Sequence, residues 1–440
     1  MKTLSTARWT VLCLGLYISL AHFASSLQAP SVWKTLPKKD SLANGLTIIH
    51  ERDLSSARTV VQVLIKGGKR AEPPGKEGLS YLTTRLAINI PDQRKIQDLM
   101  DQATRLSMDS QRDYSLITIS CLSENLEDSL DTTTKIMLDP LFSGLRIDAI
   151  KRQMKRRLDT FEDDSIVIAY NVLFDVFFNG TTYGGSVYGT EESLKTIKKK
   201  DIDEFYKKHF VAGNIIVSVS SDLEEKAILN IIEKHFSKFN PGSSPDPEPI
   251  LFSPAQEKFH TRERETEQTL VSLAYPLDKI SRRSLILAAL LENLLGKGFH
   301  SKLWPLRIEQ KLAYIVNARA TQMRDAGVLE AYLETDNAKK DRALEELGKI
   351  MQSLHRDGLA PVEFESTKTN TKADFLRNNE NKDERVMTMA YFEALGLGYD
   401  FINRYFEEID ATTLEEINRF IKKVLDPDRS VCVVVGSQNS

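Results

Sequence analysis

The residues best suited to chemistry in this sequence are Arg307 and Tyr314, seven positions apart in the segment LRIEQKLAY. A guanidinium group donates several charge-assisted hydrogen bonds and a phenol donates one more, so the pair suits a polarised peptide carbonyl. At this spacing both side chains would lie on one face of a helix. A surface arginine beside a half-buried tyrosine gives the same pattern, and spacing alone does not separate the two interpretations.

Two glycines precede this pair in the segment LLGKGFHSKLW. Gly296 and Gly298 are simplest to explain as the end of a helix and the turn that follows it. The large apolar residues after them, Phe299, Leu303 and Trp304, are predicted to lie in the core.

Metal chemistry has little support in the composition. The chain has seven histidines, and no two of them stand three or four positions apart, the spacing that lets two ligands on one helix share a metal. Three cysteines are too few for a disulfide scaffold or a cysteine-built metal site. Cys121 and Cys432 lie in apolar runs and are predicted to be buried in strands, and whether they form a disulfide stays open. His209 and His235 are expected as cations at helix ends.

Charge and length exclude several classes of protein. The 440 residues include 59 Lys and Arg and 62 Asp and Glu, a net charge of −3. A chain with no basic excess is poorly suited to nucleic acid as its main partner. With 41% hydrophobic residues, the composition is that of a globular protein, and the length predicts two or three domains.

The first residues form a separate segment. Lys2 and Arg8 precede an apolar run from Trp9 to about Phe23, and small residues follow. This pattern predicts a secretory signal peptide over residues 1–26, and its removal would take the net charge from −3 to −5 because two cations leave with it. The alternative is an uncleaved membrane anchor, but the run is shorter than the ~20 apolar residues that span a bilayer. We therefore expect secretion by a Sec-type pathway, into the periplasm if the source is bacterial.

The rest of the chain resembles a tandem duplication. Residues 203–220 and 415–435 both read as a helix, a turn and an apolar strand. Upstream of each, a long helical segment contains the pair Ala-Tyr, at 169–170 and at 390–391, which is an offset of 221 residues. The repeated order favours duplication over coincidence.

The segment between the two halves, residues 241–256, is rich in proline and serine and is predicted to be an extended linker. Domains of 31–240 and 257–440 follow from it. Alternating or continuous apolar runs predict strands, and amphipathic segments between them predict helices. We expect an α+β fold of two homologous domains, each a mostly antiparallel sheet packed with helices.

The order of these segments resembles the pitrilysin/insulinase metallopeptidase family, including the mitochondrial processing peptidase type. The resemblance covers nearly the whole chain after residue 31. It rests on LANGLTIIHERD near the start, on GKRAEPPGKEGLSYLTTRLAI, and on TTYGGSVYGTEESLKTIKKKDIDEFYKKHFVAGNIIVSVSSDL at the end of the first half. The resemblance implies the pitrilysin/LuxS-metallohydrolase fold.

Catalytic members of this family hold zinc with a helical His-x-x-Glu-His motif and a later glutamate. Tyr81 and Arg85 stand at the two histidine positions here, and Thr84 stands at the position of the general base. Arg156 or Arg157 falls at the position of the later glutamate. A permanent cation is a poor neighbour for a dication. We therefore expect no metal, no cofactor and no catalytic residue in this chain.

In the family, the region that corresponds to residues 290–318 carries an arginine and a tyrosine that grip the substrate backbone and stabilise the oxyanion. Arg307 and Tyr314 match these two residues. The resemblance also implies that Gly296 and Gly298 line the substrate entrance, which is an alternative to their interpretation as a helix end and turn. The metal-binding part of the family site is thus absent from the sequence, while the part that would hold substrate is present.

The family includes heterodimers in which one subunit carries zinc and the other lends substrate-binding groups. The sequence therefore predicts a non-catalytic, substrate-binding subunit whose partner is a homologue with an intact His-x-x-Glu-His motif and the zinc. Its substrate would be a peptide or a small unfolded protein. Two alternatives stay open: a binding or scaffold protein without a proteolytic role, and a homodimeric pseudopeptidase.

Overall fold

The computed structural model describes residues 36–243, 245–252 and 257–437. The predicted signal peptide lies outside these residues. Within them the chain forms two mixed sheets. The strands of the first sheet are β1 Lys38–Ser41, β2 Thr47–Arg52, β3 Arg58–Lys66, β4 Arg105–Ser110, β5 Tyr114–Leu122 and β6 Ile215–Ser221. The strands of the second sheet are β7 Phe259–Glu263, β8 Gln268–Asp278, β9 Ile315–Gln322, β10 Ala326–Asp336 and β11 Val431–Gly436.

The two sheets repeat one topology. The strand order is β1-β2-β6-β3-β5-β4 in the first sheet and β7-β11-β8-β10-β9 in the second. In each sheet the strand that comes last in the chain pairs parallel with an early strand, β6 with β2 and β11 with β7. All other neighbouring strands are antiparallel. The predicted α+β fold of two homologous halves, each with a mostly antiparallel sheet, is confirmed.

Helices fill the sequence between these strands. The first half contains α1 Leu79–Ala87, α2 Gln93–Asp101, α3 Leu126–Leu138, α4 Gly144–Phe161, α5 Ser165–Phe177, α6 Glu191–Thr196, α7 Lys199–His209 and α8 Glu225–Phe236. The second half contains α9 Arg282–Gly296, α10 Trp304–Ile308, α11 Lys340–Asp357, α12 Pro361–Arg377, α13 Lys382–Ala394, α14 Phe401–Asp410 and α15 Leu414–Val424. Among the residues that the structure describes, no helix is long and apolar enough to cross a membrane.

One helix from each half packs on the sheet of the other half. Helix α5 of the first half packs against β8 and β11 of the second sheet, and α13 of the second half packs against β3 and β6 of the first. These are the helices that carry the repeated Ala-Tyr pairs. The inner strands β3 and β11 are therefore buried along nearly their whole length, which explains their continuous apolar sequences. Described residues of the two halves therefore share hydrophobic clusters.

Buried ion pairs hold α13 on the first sheet. Arg385 donates to Glu51 at 2.7 Å and also pairs with Asp53. One turn earlier, the Lys382 ammonium donates to the carbonyl oxygens of Ser56 at 2.8 Å and of Arg58 at 2.7 Å. Lys382 and Arg385 are buried, so these bonds satisfy charges that would be costly to leave unpaired.

The linker lies against both halves. Arg70, from the first half, donates to Asp246 at 2.9 Å and to the carbonyl oxygen of Pro247. Its third bond, at 2.7 Å, goes to Asp325 of the second half, which also accepts from the backbone N–H of Ile250. Cys121 in β5 and Cys432 in β11 are buried free thiols, as predicted for strand cysteines.

Candidate functional site

The helix at the degenerate zinc-motif positions is α1. Its N-terminus is capped by the buried carboxylate of Glu72, which accepts from the backbone N–H groups of Gly78 at 3.1 Å and Ser80 at 2.8 Å. Burial raises the pKa of this carboxyl to about 8. Thr84 points into the protein, whereas Tyr81 and Arg85, one turn apart, are half-buried. The two motif positions that hold histidine in zinc-binding members therefore share one accessible face.

An aromatic and cationic cluster covers this face. The ring centroid of Tyr81 lies 4.6 Å from that of Tyr188, which lies 5.2 Å from Phe161. The guanidinium carbon of Arg157 lies 4.8 Å from the centre of the Tyr188 ring, a cation–π contact. Arg157 rather than Arg156 therefore occupies the position next to α1. Burial raises the pKa of Tyr188 to about 12, against the opposing effect of Arg157.

These residues do not fit a zinc ion. A phenol of raised pKa resists the ionisation that metal binding needs, and a guanidinium repels the metal. Over residues 36–243, 245–252 and 257–437, no group of three His, Cys, Asp or Glu side chains could hold a metal.

Three histidines of the described chain are buried. His50 bonds Asp40 at 3.0 Å, and His209 and His235 are buried. Burial lowers the pKa of His209 to about 4, and it lowers the pKa of His235 as well. The prediction that these two are cations at helix ends is wrong, because the helix dipole does not offset the desolvation of a charged imidazole.

Arg307 and Tyr314 do not share a helix, contrary to the prediction. Helix α10 ends at Ile308, and Tyr314 lies in a bend just before β9, where its N–H donates to the carbonyl oxygen of Glu334 at 2.8 Å. The turn between them places Lys311 at φ 53° and buries Leu312. Burial of Leu312 thus outweighs the helical propensity of the segment.

Both side chains of the pair are exposed. The guanidinium carbon of Arg307 lies 5.1 Å from the Trp304 ring centre. The Tyr314 hydroxyl donates to Asp336 at 2.7 Å, and this bond raises the pKa of the phenol. Tyr314 is thus a neutral hydrogen-bond donor, and in this structure its O–H is directed to Asp336.

The two glycines have different surroundings. Gly296 is the last residue of α9, and a Cβ there would lie 1.9 Å from the backbone nitrogen of Ala318, so packing of the helix against β9 requires glycine. Gly298 has φ +78°, and a Cβ there would meet open space. The interpretation as helix end and turn fits both residues.

The apolar residues after the glycines divide between core and surface. Leu303 is fully buried, as predicted, but Phe299 is 77% exposed and lies edge-on to Trp304 at 5.0 Å. The prediction of a core position for Phe299 is wrong, because the turn at Gly298 carries it outward. Ile308 and Ile315 are also exposed, so the pair stands in a partly apolar surface.

Sequence reasoning missed several neighbours of these residues. Tyr188 and Phe161 are distant from Tyr81 in the chain, and no spacing rule connects them to it. Asp336 contacts Tyr314, and Trp304 contacts Arg307. Of these two contacts, only the one with Trp304 could have been predicted from helical spacing, because Trp304 lies three residues before Arg307.

Comparison with protein families matches two models to this chain. Residues 47–191 match the model described as Insulinase (Peptidase family M16), and residues 196–371 match the model described as Peptidase M16 inactive domain. Together they extend over most of both halves.

Individual relatives are similar at low identity. A protein named "Non-peptidase homolog YmxG" from Helicobacter pylori is 24% identical over 86% of this chain and 83% of its own length. "Cytochrome b-c1 complex subunit 1, mitochondrial" from Bos taurus is 25% identical over 52% of this chain and 48% of its own. A crystal structure of a peptidase M16 inactive domain from Pseudomonas fluorescens is 17% identical, with a TM-score of 0.84 over 92% of this chain and 98% of that one.

The geometry of α1, the family models and the fold all indicate one family and a site without zinc. Neither the residues at the motif positions of α1 nor their neighbours Tyr188 and Phe161 suit zinc-dependent hydrolysis. The chain belongs to the insulinase (M16) family of peptidases, as a member that lacks the His-x-x-Glu-His zinc motif.

Proposed function

We propose that this chain is the non-catalytic, substrate-binding subunit of a heterodimeric zinc metallopeptidase. Its partner is a homologue with an intact His-x-x-Glu-His motif, which supplies the zinc and the general base. Arg307 and Tyr314 reach the partner's active site, bind the peptide backbone and stabilise the oxyanion that forms during hydrolysis. The leader of residues 1–26 exports the chain, to the periplasm if the source is bacterial.

The observation that carries this proposal is the exposure of Arg307. Its guanidinium stacks on Trp304, and no carboxylate of the described residues pairs with it. A charged group with this planar donor geometry and no acid partner is available to a carbonyl or carboxylate of another molecule. Tyr314 adds a neutral phenol whose present acceptor, Asp336, is itself at the surface.

The proposal is tested by copurifying the partner and measuring peptide cleavage by the pair. Arg307→Ala should lower kcat by about 100-fold, the effect of losing one oxyanion donor, and Tyr314→Phe should lower it by about 10-fold or more. Arg342→Ala, which removes another exposed helical arginine, is the matched control and should leave the rate unchanged. Unchanged rates with both Arg307→Ala and Tyr314→Phe would refute the role of the pair.

A scaffold role without proteolysis is the second candidate. It is favoured by the similarity to a subunit of the cytochrome b-c1 complex. In that case the chain copurifies with a larger assembly, and the variants of Arg307 and Tyr314 leave its composition and activity unchanged.

A further inference from the structure

Trp304 is the aromatic neighbour of Arg307 on α10, three residues earlier and so on the same face of the helix. The guanidinium carbon lies 5.1 Å from the centre of the Trp304 ring, within the range of a cation–π interaction. Among the residues that the structure describes, no hydrogen bond or ion pair joins the Arg307 side chain to another group. The ring therefore contacts the guanidinium without occupying its N–H donors.

The chain just before Trp304 is attached to the end of α9. The backbone N–H groups of Lys302 and Leu303 donate to the carbonyl oxygens of Leu294 and Leu295, at 2.8 Å and 3.0 Å. The Leu303 side chain is fully buried. These contacts fix the backbone from which the Trp304 ring projects.

Helix α10 itself has only five residues, which is too short for a helix to be stable without packing. Pro305 in its first turn fixes a backbone dihedral, and Leu306 is fully buried. The Phe299 ring lies edge-on to the Trp304 ring, with 5.0 Å between the ring centres. The Trp304 ring is thus packed in place, whereas the long side chain of Arg307 is exposed and has this ring as its support.

Tyr314, the other residue of the pair, is oriented by a different group. Its hydroxyl donates to Asp336 at the end of β10, at 2.7 Å. A change at Trp304 should therefore reach Arg307 and leave the contribution of Tyr314 intact.

We propose that Trp304 is a positioning residue for Arg307 in the hydrolysis carried out by the heterodimer. Its ring restricts the guanidinium to an orientation in which the N–H donors face outward, so less side-chain freedom is lost when they bind the oxyanion. Trp304 acts through Arg307 and needs no contact with the substrate. This inference rests on the proposed function, and it adds the residue that orients Arg307.

The test is a double-mutant cycle in the cleavage assay of the copurified heterodimer, with each complex first shown to be folded and assembled. Trp304→Leu keeps an apolar side chain and removes the ring. It should lower kcat by about two- to fivefold, the effect of one exposed cation–π contact, and change KM less. Trp304→Phe retains a ring face and should recover most of the loss.

The cycle separates positioning from a general structural role. In the Arg307→Ala background, Trp304→Leu should have no further effect, because the group that it orients is gone. In the Tyr314→Phe background, Trp304→Leu should keep its full effect.

Phe406→Leu is the matched control, because it removes a ring of the same half that also contacts a cation, the Lys372 ammonium at 5.7 Å. It should leave kcat unchanged. An equal loss from Trp304→Leu with and without Arg307, or a loss that Trp304→Phe does not recover, would overturn the positioning role. An unchanged rate with Arg307→Ala would instead refute the proposed function, so the two failures are distinguishable.

Discussion

Tyr81 and Tyr314 are both partly accessible tyrosines in regions that correspond to parts of one family site, but their surroundings differ. The Tyr81 ring packs on Tyr188, which in turn contacts Phe161 and the guanidinium of Arg157. Tyr314 is half exposed, and its hydroxyl contacts a surface carboxylate. In the first region, side chains that cannot bind zinc pack together and add to stability. In the second, donors point outward and stability gains little from them.

The largest expected difference between the regions is in folding stability. Tyr188 is 8% exposed and contacts aromatic rings on two sides, so Tyr188→Ala should lower the free energy of unfolding by about 3 kcal/mol. Phe299→Ala, at a large aromatic residue of the exposed region, should change it by less than about 0.5 kcal/mol. Urea unfolding followed by circular dichroism measures both. Similar losses for the two variants would show that the second region is also part of the core.

A pH dependence of stability comes from the helix that packs on α1. His209 on α7 has a folded pKa of about 4, below its ordinary value of 6.5, so below pH 6.5 the unfolded state binds more protons. The free energy of unfolding should therefore fall as pH drops from 6.5 to 4, by about 2–3 kcal/mol from this residue. His235 contributes in the same direction. His209→Gln should flatten the pH profile, and an unchanged slope would place the acid sensitivity elsewhere.

The smallest expected effect separates the two neighbouring arginines of α4. Arg157→Met removes the cation–π contact with Tyr188 and should cost about 0.5–1 kcal/mol, whereas Arg156→Met, at an exposed side chain, should cost nothing measurable. Thermal unfolding at matched protein concentration provides the comparison. A larger loss with Arg156→Met would mean that Arg157 is not the residue that packs beside α1.

Much of the fold could be predicted because it repeats. The offset of 221 residues between the Ala-Tyr pairs identified α5 and α13 as equivalent helices, and the structure places both on sheets. The sequence offset could not reveal that each helix packs on the sheet of the other half, because an apolar helix face does not specify its partner. The continuous apolar sequences of β3 and β11 indicated that both faces of these strands are covered. Helices from the same half would produce the same pattern.

The candidate site was predictable only where the family pattern is local. The motif positions of α1 lie within five residues, and the sequence located them. The break between Arg307 and Tyr314 was not predicted, because it depends on burial of Leu312 and on the left-handed conformation of Lys311. These are tertiary effects that override helical propensity.

The most direct test compares the two regions in one cleavage assay of the copurified heterodimer, with an uncharged peptide as substrate. The account predicts that Arg307→Ala/Tyr314→Phe lowers kcat by about 100-fold or more. It predicts that Tyr81→Ala, which alters no group in contact with the reacting atoms, leaves kcat within about twofold once both complexes are shown to be folded. A rate that depends on Tyr81 and is indifferent to Arg307 and Tyr314 would contradict it.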